Sequence, residues 1–277
     1  IHLDLIAGLP YEDYESFAKS FNEVYSMQPS QLQLGFLKVL KGSPMESDAP
    51  AYGIVYKAKA PYEVLYTNWI SYEQILMLKR IEQMVELYYN SNQFTMTLAV
   101  LEREFRNPFD MFEKLADFYD QKGYFTNSPA RIYRYQVLLD FAAHYAPEKK
   151  DLYAELLTFD LYFRENLKSE PPFAPDQKAY KKLVRSLEID RSMRVQVFRY
   201  PVHLAGTPAF MQSVKSEHQS LELDDLYAGK ADSDKSFSEE ISVDRNKSVL
   251  YIIVFDYSKR DPIDNNAAFK VIEALAF

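Results

Sequence analysis

The feature that most constrains this chain is a pair of apolar runs near its start, separated by one amphipathic segment. The first run, residues 1–10, is mostly aliphatic and stops at Gly-Leu-Pro, and the second, residues 31–39, alternates apolar and polar side chains. Between them, Phe17 and Phe21 lie four residues apart after Asp13, a residue type suited to a helix N-cap. This order predicts a strand, a helix and a second, parallel strand, joined by a right-handed crossover.

In folds built from such units, ligands bind at the carboxyl ends of the parallel strands. Gly8 and residues 38–43 follow those ends in the sequence. We therefore expect a binding site there.

Helical periodicity dominates the middle of the chain. Ser71 is a predicted N-cap, Asn107 and Pro108 open a further helix, and Gly123 stands where a left-handed stop is expected. Pro147 opens another helix. These signals predict a helical bundle rich in tyrosine and phenylalanine.

The last third of the chain mixes both kinds of element. Three prolines between residues 170 and 176 indicate a linker, and an acidic, serine-rich stretch at 224–238 is expected to be mobile. The elements predicted here are a basic helix at 177–187, strands at 193–199 and 249–257, and a final helix at 265–275.

These elements predict an α+β fold that is mostly α-helical. We divide the sequence into a βαβ unit at residues 1–45, a helical domain at 46–169 and a small α+β region at 170–277.

Composition excludes several classes of function. With no cysteine, the chain holds no disulfide, Cys-ligated zinc or Cys-bound iron–sulfur cluster. A net charge of −8 with dispersed lysine and arginine disfavours nucleic acid as a partner. There is neither a long apolar span nor a leader segment, so we expect no membrane partner and a cytoplasmic location.

Two motifs give the apolar runs a family resemblance. The first run continues Ala-Gly-Leu-Pro-Tyr-Glu, and the second continues Leu-Lys-Val-Leu-Lys-Gly-Ser-Pro. Together they resemble the fifth and sixth units of a radical S-adenosylmethionine (SAM) partial barrel, in the subfamily that carries a B12-binding domain (the Mg-protoporphyrin monomethyl ester cyclase-like group). Tyr11 stands where that family usually has glycine, which puts the shape of this turn in question, and Ser43 stands where it often has threonine.

The resemblance implies a SAM site at these strand ends. Ile6, Ala7 and Gly8 would line the adenine side, and the main chain around Phe36 and Leu37 would hydrogen-bond the adenine edge. In the family, the cysteines that ligate the [4Fe-4S] cluster follow the first barrel strand, and the cobalamin-binding domain precedes the barrel. We therefore interpret the chain as the carboxy-terminal part of a longer enzyme, inactive alone, whose full-length form uses SAM, a [4Fe-4S] cluster and cobalamin.

The same interpretation implies partners. They are the amino-terminal cobalamin-binding and radical SAM domains and a small-molecule substrate, which would be methylated or cyclised beneath the helical extension. Strands of a parallel barrel normally have neighbours on both sides. We expect the first strand to pair with a second copy in a homodimer, to pair with residues 249–257, or to be poorly ordered.

Other candidate site residues are few. Arg131, Arg134 and Tyr135 form an aromatic–guanidinium group that suits an anionic or planar substrate, although such residues often stack on one another at a domain boundary. The four histidines, including His218, show no metal-ligand spacing. No catalytic residue is predicted.

A different class of function remains open. The chain is alternatively a non-catalytic helical interaction module that binds a protein or small ligand through its aromatic grooves. A Cys-x-x-x-Cys-x-x-Cys motif in the full-length protein would distinguish the enzyme from this module.

Overall fold

The computed structural model describes residues 1–187, 190, 192–208, 210 and 249–275. By its internal contacts the chain divides into two compact units, Ile1–Val137 and Leu138–Phe277.

The first unit opens with two parallel strands joined by a helix, which confirms the predicted βαβ order. Strand β1 (His2–Ala7) pairs in parallel with β2 (Gln31–Phe36), and α1 (Tyr14–Ser26) connects them. The Asp13 carboxylate accepts from the Ser16 amide, and the Ser16 hydroxyl accepts from the Asp13 amide. This reciprocal cap satisfies two amides that a helix start leaves unpaired, so the predicted N-cap is also confirmed.

The rest of the first unit is mainly helical. Its elements are α2 (Pro44–Asp48), β3 (Val55–Tyr56), β4 (Val64–Tyr66), α3 (Tyr72–Met84), a π-helical turn (Val85–Asn90), α4 (Thr95–Leu101), a 3₁₀ turn (Glu102–Glu104), α5 (Pro108–Gln121) and α6 (Tyr133–Tyr145), which runs through the boundary of the unit. The caps predicted at Ser71 and Asn107 and the left-handed Gly123 are confirmed.

Aromatic packing joins α1 to α5. The Phe21 ring lies 5.5 Å from that of Phe109 and 5.9 Å from that of Phe112, each edge to face. Phe17 contacts Phe109 in the same way. Such pairs add about 0.5–1.5 kcal/mol each to the burial of their surface, and so hold the crossover helix of the βαβ unit on the helical part.

The second unit contains helices and an antiparallel sheet. Its described elements are a 3₁₀ turn (Pro147–Lys149), α7 (Lys150–Arg164), a 3₁₀ turn (Lys178–Tyr180), α8 (Lys181–Arg185), β5 (Met193–Phe198), a 3₁₀ turn (Val202–Leu204), β6 (Val249–Arg260) and β7 (Ala267–Leu275). The sheet order is β5-β6-β7.

Phe159 of helix α7 packs on all three strands of that sheet. The Phe159 ring contacts Phe198 of β5, Phe255 of β6 and Phe269 of β7, at centroid distances of 6.2, 5.4 and 5.4 Å. One side chain thus touches every strand of the sheet. The predicted strands at 193–199 and 249–257 are confirmed as β5 and the larger part of β6.

The prediction of a final helix at residues 265–275 is wrong, because residues 267–275 form β7. Ala267, Glu273 and Ala274 favour a helix, whereas Phe269, Val271 and Ile272 favour a strand. Pairing along the whole length of β6 decides between these tendencies. Propensity is overridden here by an available strand edge.

The expectation that the first strand pairs with residues 249–257 is also wrong. Strand β6 has β5 along one edge and β7 along the other, so neither edge is open to β1. The acidic stretch 224–238, predicted to be mobile, lies outside the described residues.

The fold is α+β and mostly helical, as the sequence predicts. The division into residues 1–45, 46–169 and 170–277 stays a prediction. Among the described helices, none has both the length and the apolar character needed to cross a membrane.

Candidate functional site at the ends of the parallel strands

The carboxyl ends of β1 and β2 lie side by side. Ala7 is in register with Phe36, and the Leu37 amide donates to the Ala7 carbonyl at 2.9 Å. Ile6 and Gly8 flank Ala7, so the five residues implied for SAM lie together in the structure. Their role in binding SAM stays a prediction.

One face of the β1–β2 pair is open to solvent. Side chains alternate between the faces of a strand, which places Asp4 and Ile6 of β1 on the same face as Gln33 and Gly35 of β2. Asp4, Gln33 and Ile6 are exposed, Ile6 to 49%, whereas Leu34 on the opposite face is buried. The open face is therefore polar along its length and apolar at Ile6, next to the strand ends.

The two outer edges of the pair differ. On β2, the Asn90 side-chain amide donates to the Leu32 carbonyl at 3.0 Å and accepts from the Leu32 amide at 2.9 Å. One side chain thus makes the two hydrogen bonds that a neighbouring strand would make. The outer edge of β2 is closed at Leu32 by the π-helical turn.

The outer edge of β1 is open in the described chain. The carbonyls of Ile1 and Ala7 accept hydrogen bonds from Ser30 and Leu37, so the odd-numbered residues of β1 direct their main chain towards β2. The even-numbered residues consequently direct theirs to the other side, where the described sheet has no further strand.

Gly8 has a structural requirement of its own. Its φ is +85°, and a Cβ at this position would lie 2.7 Å from Cγ1 of the buried Val64. The Val64 amide also donates to the Leu37 carbonyl at 2.8 Å. Strand β4 therefore packs directly against the strand ends, and only glycine leaves room for it.

The residues at the strand ends differ in what they leave available for a ligand. Ile6 supplies an exposed apolar surface, and the main chain of Phe36 points away from β1, as that of Leu32 does. The Leu37 amide and carbonyl are both already bonded within the protein. Ile6 and Phe36 thus leave a side chain or main chain available at the strand ends, whereas Gly8 and Leu37 are committed to contacts within the protein.

A charged group borders Phe36. The Lys79 ammonium lies 4.1 Å from the Phe36 ring centroid and 2.6 Å from the Glu63 carboxylate, which also pairs with Lys57 at 2.9 Å. Burial acts to raise the pKa of Glu63, but hydrogen bonds from the two lysines outweigh it and hold this pKa below its ordinary value. Glu63 therefore stays ionised and fixes Lys79 over the ring.

Sequence reasoning missed an aromatic cluster next to the strand ends. The Tyr11 ring, whose residue is 74% exposed, lies 4.7 Å from Trp69 and 5.8 Å from Tyr52. Tyr11 also has a φ of 68°, in the left-handed region that favours glycine. The replacement of the family's glycine by Tyr11 was the available signal, but nothing local connected it to Trp69.

The three residues predicted to bind substrate lie in different surroundings. Arg131 is exposed, while the Arg134 Nε donates to the Pro129 carbonyl at 3.3 Å. Tyr135 is fully buried, with its ring 4.5 Å from that of Phe94. Tyr135 thus has a packing role, and substrate binding by the three residues stays a prediction.

The described histidines occupy separate places. His2 lies 3.5 Å from Asp4, His144 packs on Tyr145, and His203 packs on Tyr251. His218 lies outside the described residues. In the described part of the chain, no three His, Cys, Asp or Glu side chains group as metal ligands would.

The fold and site define a class: an α+β protein whose parallel βαβ unit, open along one edge, carries a helical extension. More particularly, the chain belongs to DUF4080, a family of proteins of unknown function, whose family model matches residues 50–207, more than half of the chain. The match includes the loops that bear Tyr52 and Trp69 and leaves β1 and β2 outside. No curated protein matches the sequence.

Proposed function

We propose that this chain is the carboxy-terminal part of a radical SAM enzyme that is associated with cobalamin and acts as a methyltransferase or cyclase. In this proposal β1 and β2 are the last two strands of the partial barrel. The helical extension covers the barrel opening or positions the substrate, and so keeps water from reactive species. The location is cytoplasmic.

The difference between the two sheet edges carries the proposal. Parallel sheets are normally covered on both faces and continue beyond two strands. The outer edge of β1 is open to a preceding strand, whereas Asn90 closes β2. A sheet that ends at β2 and continues beyond β1 has the arrangement expected at the end of a barrel.

When bound in the full-length protein, SAM and a [4Fe-4S] cluster supply the radical chemistry, with cobalamin as a further cofactor. Ile6 would pack against the adenine ring, and the Phe36 main chain would hydrogen-bond its edge. Gly8 admits Val64 beneath the site. The amino-terminal cobalamin-binding and radical SAM domains supply the remaining ligands, and in the isolated chain the edge of β1 is where a second copy would pair.

The first test uses the full-length protein. It is purified without oxygen and reconstituted with iron and sulfide, and its EPR spectrum is recorded with and without SAM. The expected result is a reducible [4Fe-4S] cluster whose signal shifts when SAM is added. Absence of a cluster would overturn the proposal.

A pair of variants locates the SAM site. In the full-length protein, Ile6→Lys places a charge on the apolar surface at the strand ends. We expect it to bind SAM roughly tenfold more weakly, as measured by equilibrium dialysis. Met27→Lys is the matched control, because Met27 is an exposed apolar residue before β2, at the opposite end of the strands. Equal affinities for the two variants would contradict the assignment of Ile6.

The exposed cluster of Tyr11, Tyr52 and Trp69 supports a second candidate. An aromatic surface of this kind also suits a non-catalytic interaction module that binds a protein or small ligand. A full-length protein without cluster cysteines would favour the module.

A further inference from the structure

A cavity of about 510 Å³ lies in the first unit, apart from the strand ends. It is bounded by Tyr25 near the end of α1, Tyr88 and Tyr89 of the π-helical turn, Leu98 of α4 and Glu102 of the 3₁₀ turn. Small-molecule sites have volumes of roughly 300–1,000 Å³. The cavity is therefore large enough for a small organic ligand.

The π-helical turn places two of the tyrosines on this cavity. π-Helical turns are rare and are frequent at functional sites. Here Asn90, the last residue of the turn, anchors it through its hydrogen bonds to Leu32 of β2. The turn is thus held in place with Tyr89 on the cavity lining, while Tyr88 is fully buried.

Aromatic ring surfaces form one wall. The Tyr25 and Tyr89 rings lie 5.0 Å apart with planes inclined at 46°, and the Tyr89 hydroxyl donates to the Pro29 carbonyl at 2.5 Å. Its hydroxyl bond fixes the position of the Tyr89 ring. Ring faces carry partial negative charge and attract cations within about 6 Å.

A carboxylate stands beside these rings. Burial raises the pKa of Glu102, while the hydrogen bond that the Tyr25 hydroxyl donates to it and the Arg103 charge act in the opposite direction. The pKa values of Tyr25 and Tyr89 are raised by burial and by the charge of Glu102. The cavity lining thus combines one carboxylate with tyrosine rings, a set of groups that suits a positively charged ligand.

We propose that this cavity binds a small organic cation, such as an alkylammonium or guanidinium group. Glu102 is its counter-ion, and the rings of Tyr25 and Tyr89 form the wall against which it packs. The proposal does not depend on radical SAM chemistry.

The test is an NMR titration of the full chain with tert-butylammonium chloride, with tert-butanol as the neutral probe of similar shape. We expect shifts at the Leu98 methyl groups that saturate in the millimolar range for the cation and do not saturate for the alcohol. Equal binding of the two probes, or no shift with either, would overturn the proposal.

Two pairs of variants assign the groups. Glu102→Gln should lower the affinity for the cation roughly tenfold or more. Glu104→Gln, in the same 3₁₀ turn and outside the cavity lining, should change this affinity less than about twofold. Tyr89→Leu removes a ring face and should also weaken binding of the cation. Tyr89→Phe keeps the ring face and should bind the cation more tightly than Tyr89→Leu does. If Glu102→Gln does not fold, the Tyr89 pair still decides, since equal affinities of these two variants would refute the proposed wall.

Discussion

The parallel pair β1–β2 and the antiparallel sheet β5-β6-β7 complete their hydrogen bonding in different ways. In the antiparallel sheet, the central strand β6 has a strand on each side and Phe159 of α7 against its face. In the parallel pair, β2 has a strand on one side and a single side chain, Asn90, on the other. β1 has only β2.

This difference shows two ways in which a sheet is stabilised, by pairing with further strands and by side chains that bond to its edge. The strands of the antiparallel sheet all pair with one another within the second unit. What then varies is how well these strands are attached to α7, and the stability of the sheet depends on that attachment. The parallel pair relies on particular side chains at its edge and end, and it leaves one edge for further pairing. Substitutions at these attachment points therefore test the comparison directly.

The largest effect is expected where β5 is attached to α7. Glu155, 1% exposed, accepts from the Arg199 amide, the Arg199 Nε and the Tyr200 amide at 2.9–3.0 Å. Glu155→Ala leaves these donors without an acceptor and should lower the free energy of unfolding by about 3–4 kcal/mol, measured by urea denaturation. Asp151→Asn, at an exposed carboxylate that also pairs with Arg199, should cost less than about 1 kcal/mol. Similar losses for the two variants would contradict this account.

The edge of β2 is the next test. Asn90→Ala leaves the amide and carbonyl of the buried Leu32 without partners, so we expect a loss of about 3 kcal/mol in the same assay. Asn90→Asp keeps an acceptor for the Leu32 amide but places a carboxylate oxygen against the Leu32 carbonyl. It should therefore recover little of the lost free energy of unfolding. A loss under about 1 kcal/mol for Asn90→Ala would show that the edge does not need this side chain.

The end of β1 allows a comparison of two glycines. Gly8→Ala introduces a Cβ 2.7 Å from Val64 Cγ1 at a φ of +85°, whereas Gly42→Ala, at +78°, meets nothing within 4 Å. We expect a loss of about 2–3 kcal/mol at Gly8 and about 1 kcal/mol at Gly42, where only the backbone conformation is affected. Adding Val64→Ala to Gly8→Ala should cost less than the two changes made separately. Equal effects at the two glycines would contradict the proposed contact.

The smallest effect concerns pH in the second unit. Burial lowers the pKa of His203 from 6.5 to about 4, so the folded chain keeps this ring neutral while the unfolded chain protonates it. The contribution of the neutral His203 ring to the free energy of unfolding is fully present above about pH 6.5. It is lost as the pH falls towards about 4. The slope should stay below about 1.4 kcal/mol per pH unit, because the ring is partly exposed. For His203→Phe, the free energy of unfolding from urea denaturation should change less between about pH 7 and pH 5 than it does for wild type or for His144→Phe. Identical slopes would contradict this.

Local signals account for what could be predicted from sequence. The parallel pair followed from strand alternation around an amphipathic helix, and the caps at Asp13, Ser71 and Asn107 followed from residue type and spacing. Each depends on residues a few positions apart. The five strand-end residues could be placed together for the same reason, since a parallel pair aligns its carboxyl ends.

Long-range contacts account for what was missed. Strand β7 became a strand because β6 offered an edge, although its alanines favour a helix. Trp69 meets Tyr11 across 58 positions of sequence, and Asn90 meets Leu32 across the same separation. Tyr135 is buried beside Phe94, which no local pattern indicates. Such pairings are decided by packing and cannot be read from spacing.

The contact between Gly8 and Val64 crosses the start of the segment that the family model matches. The segment shared with DUF4080 begins at residue 50, so Val64 lies inside it and Gly8 lies before it. The Val64 amide is bonded to Leu37, and the Phe109 amide is bonded to the Asn22 side chain, again across that border. The start of the matched segment therefore lies inside one compact unit, Ile1–Val137. Residues 50–207 alone would lack the partners that Leu37 and Asn22 supply, so this segment should be less stable without the residues that precede it.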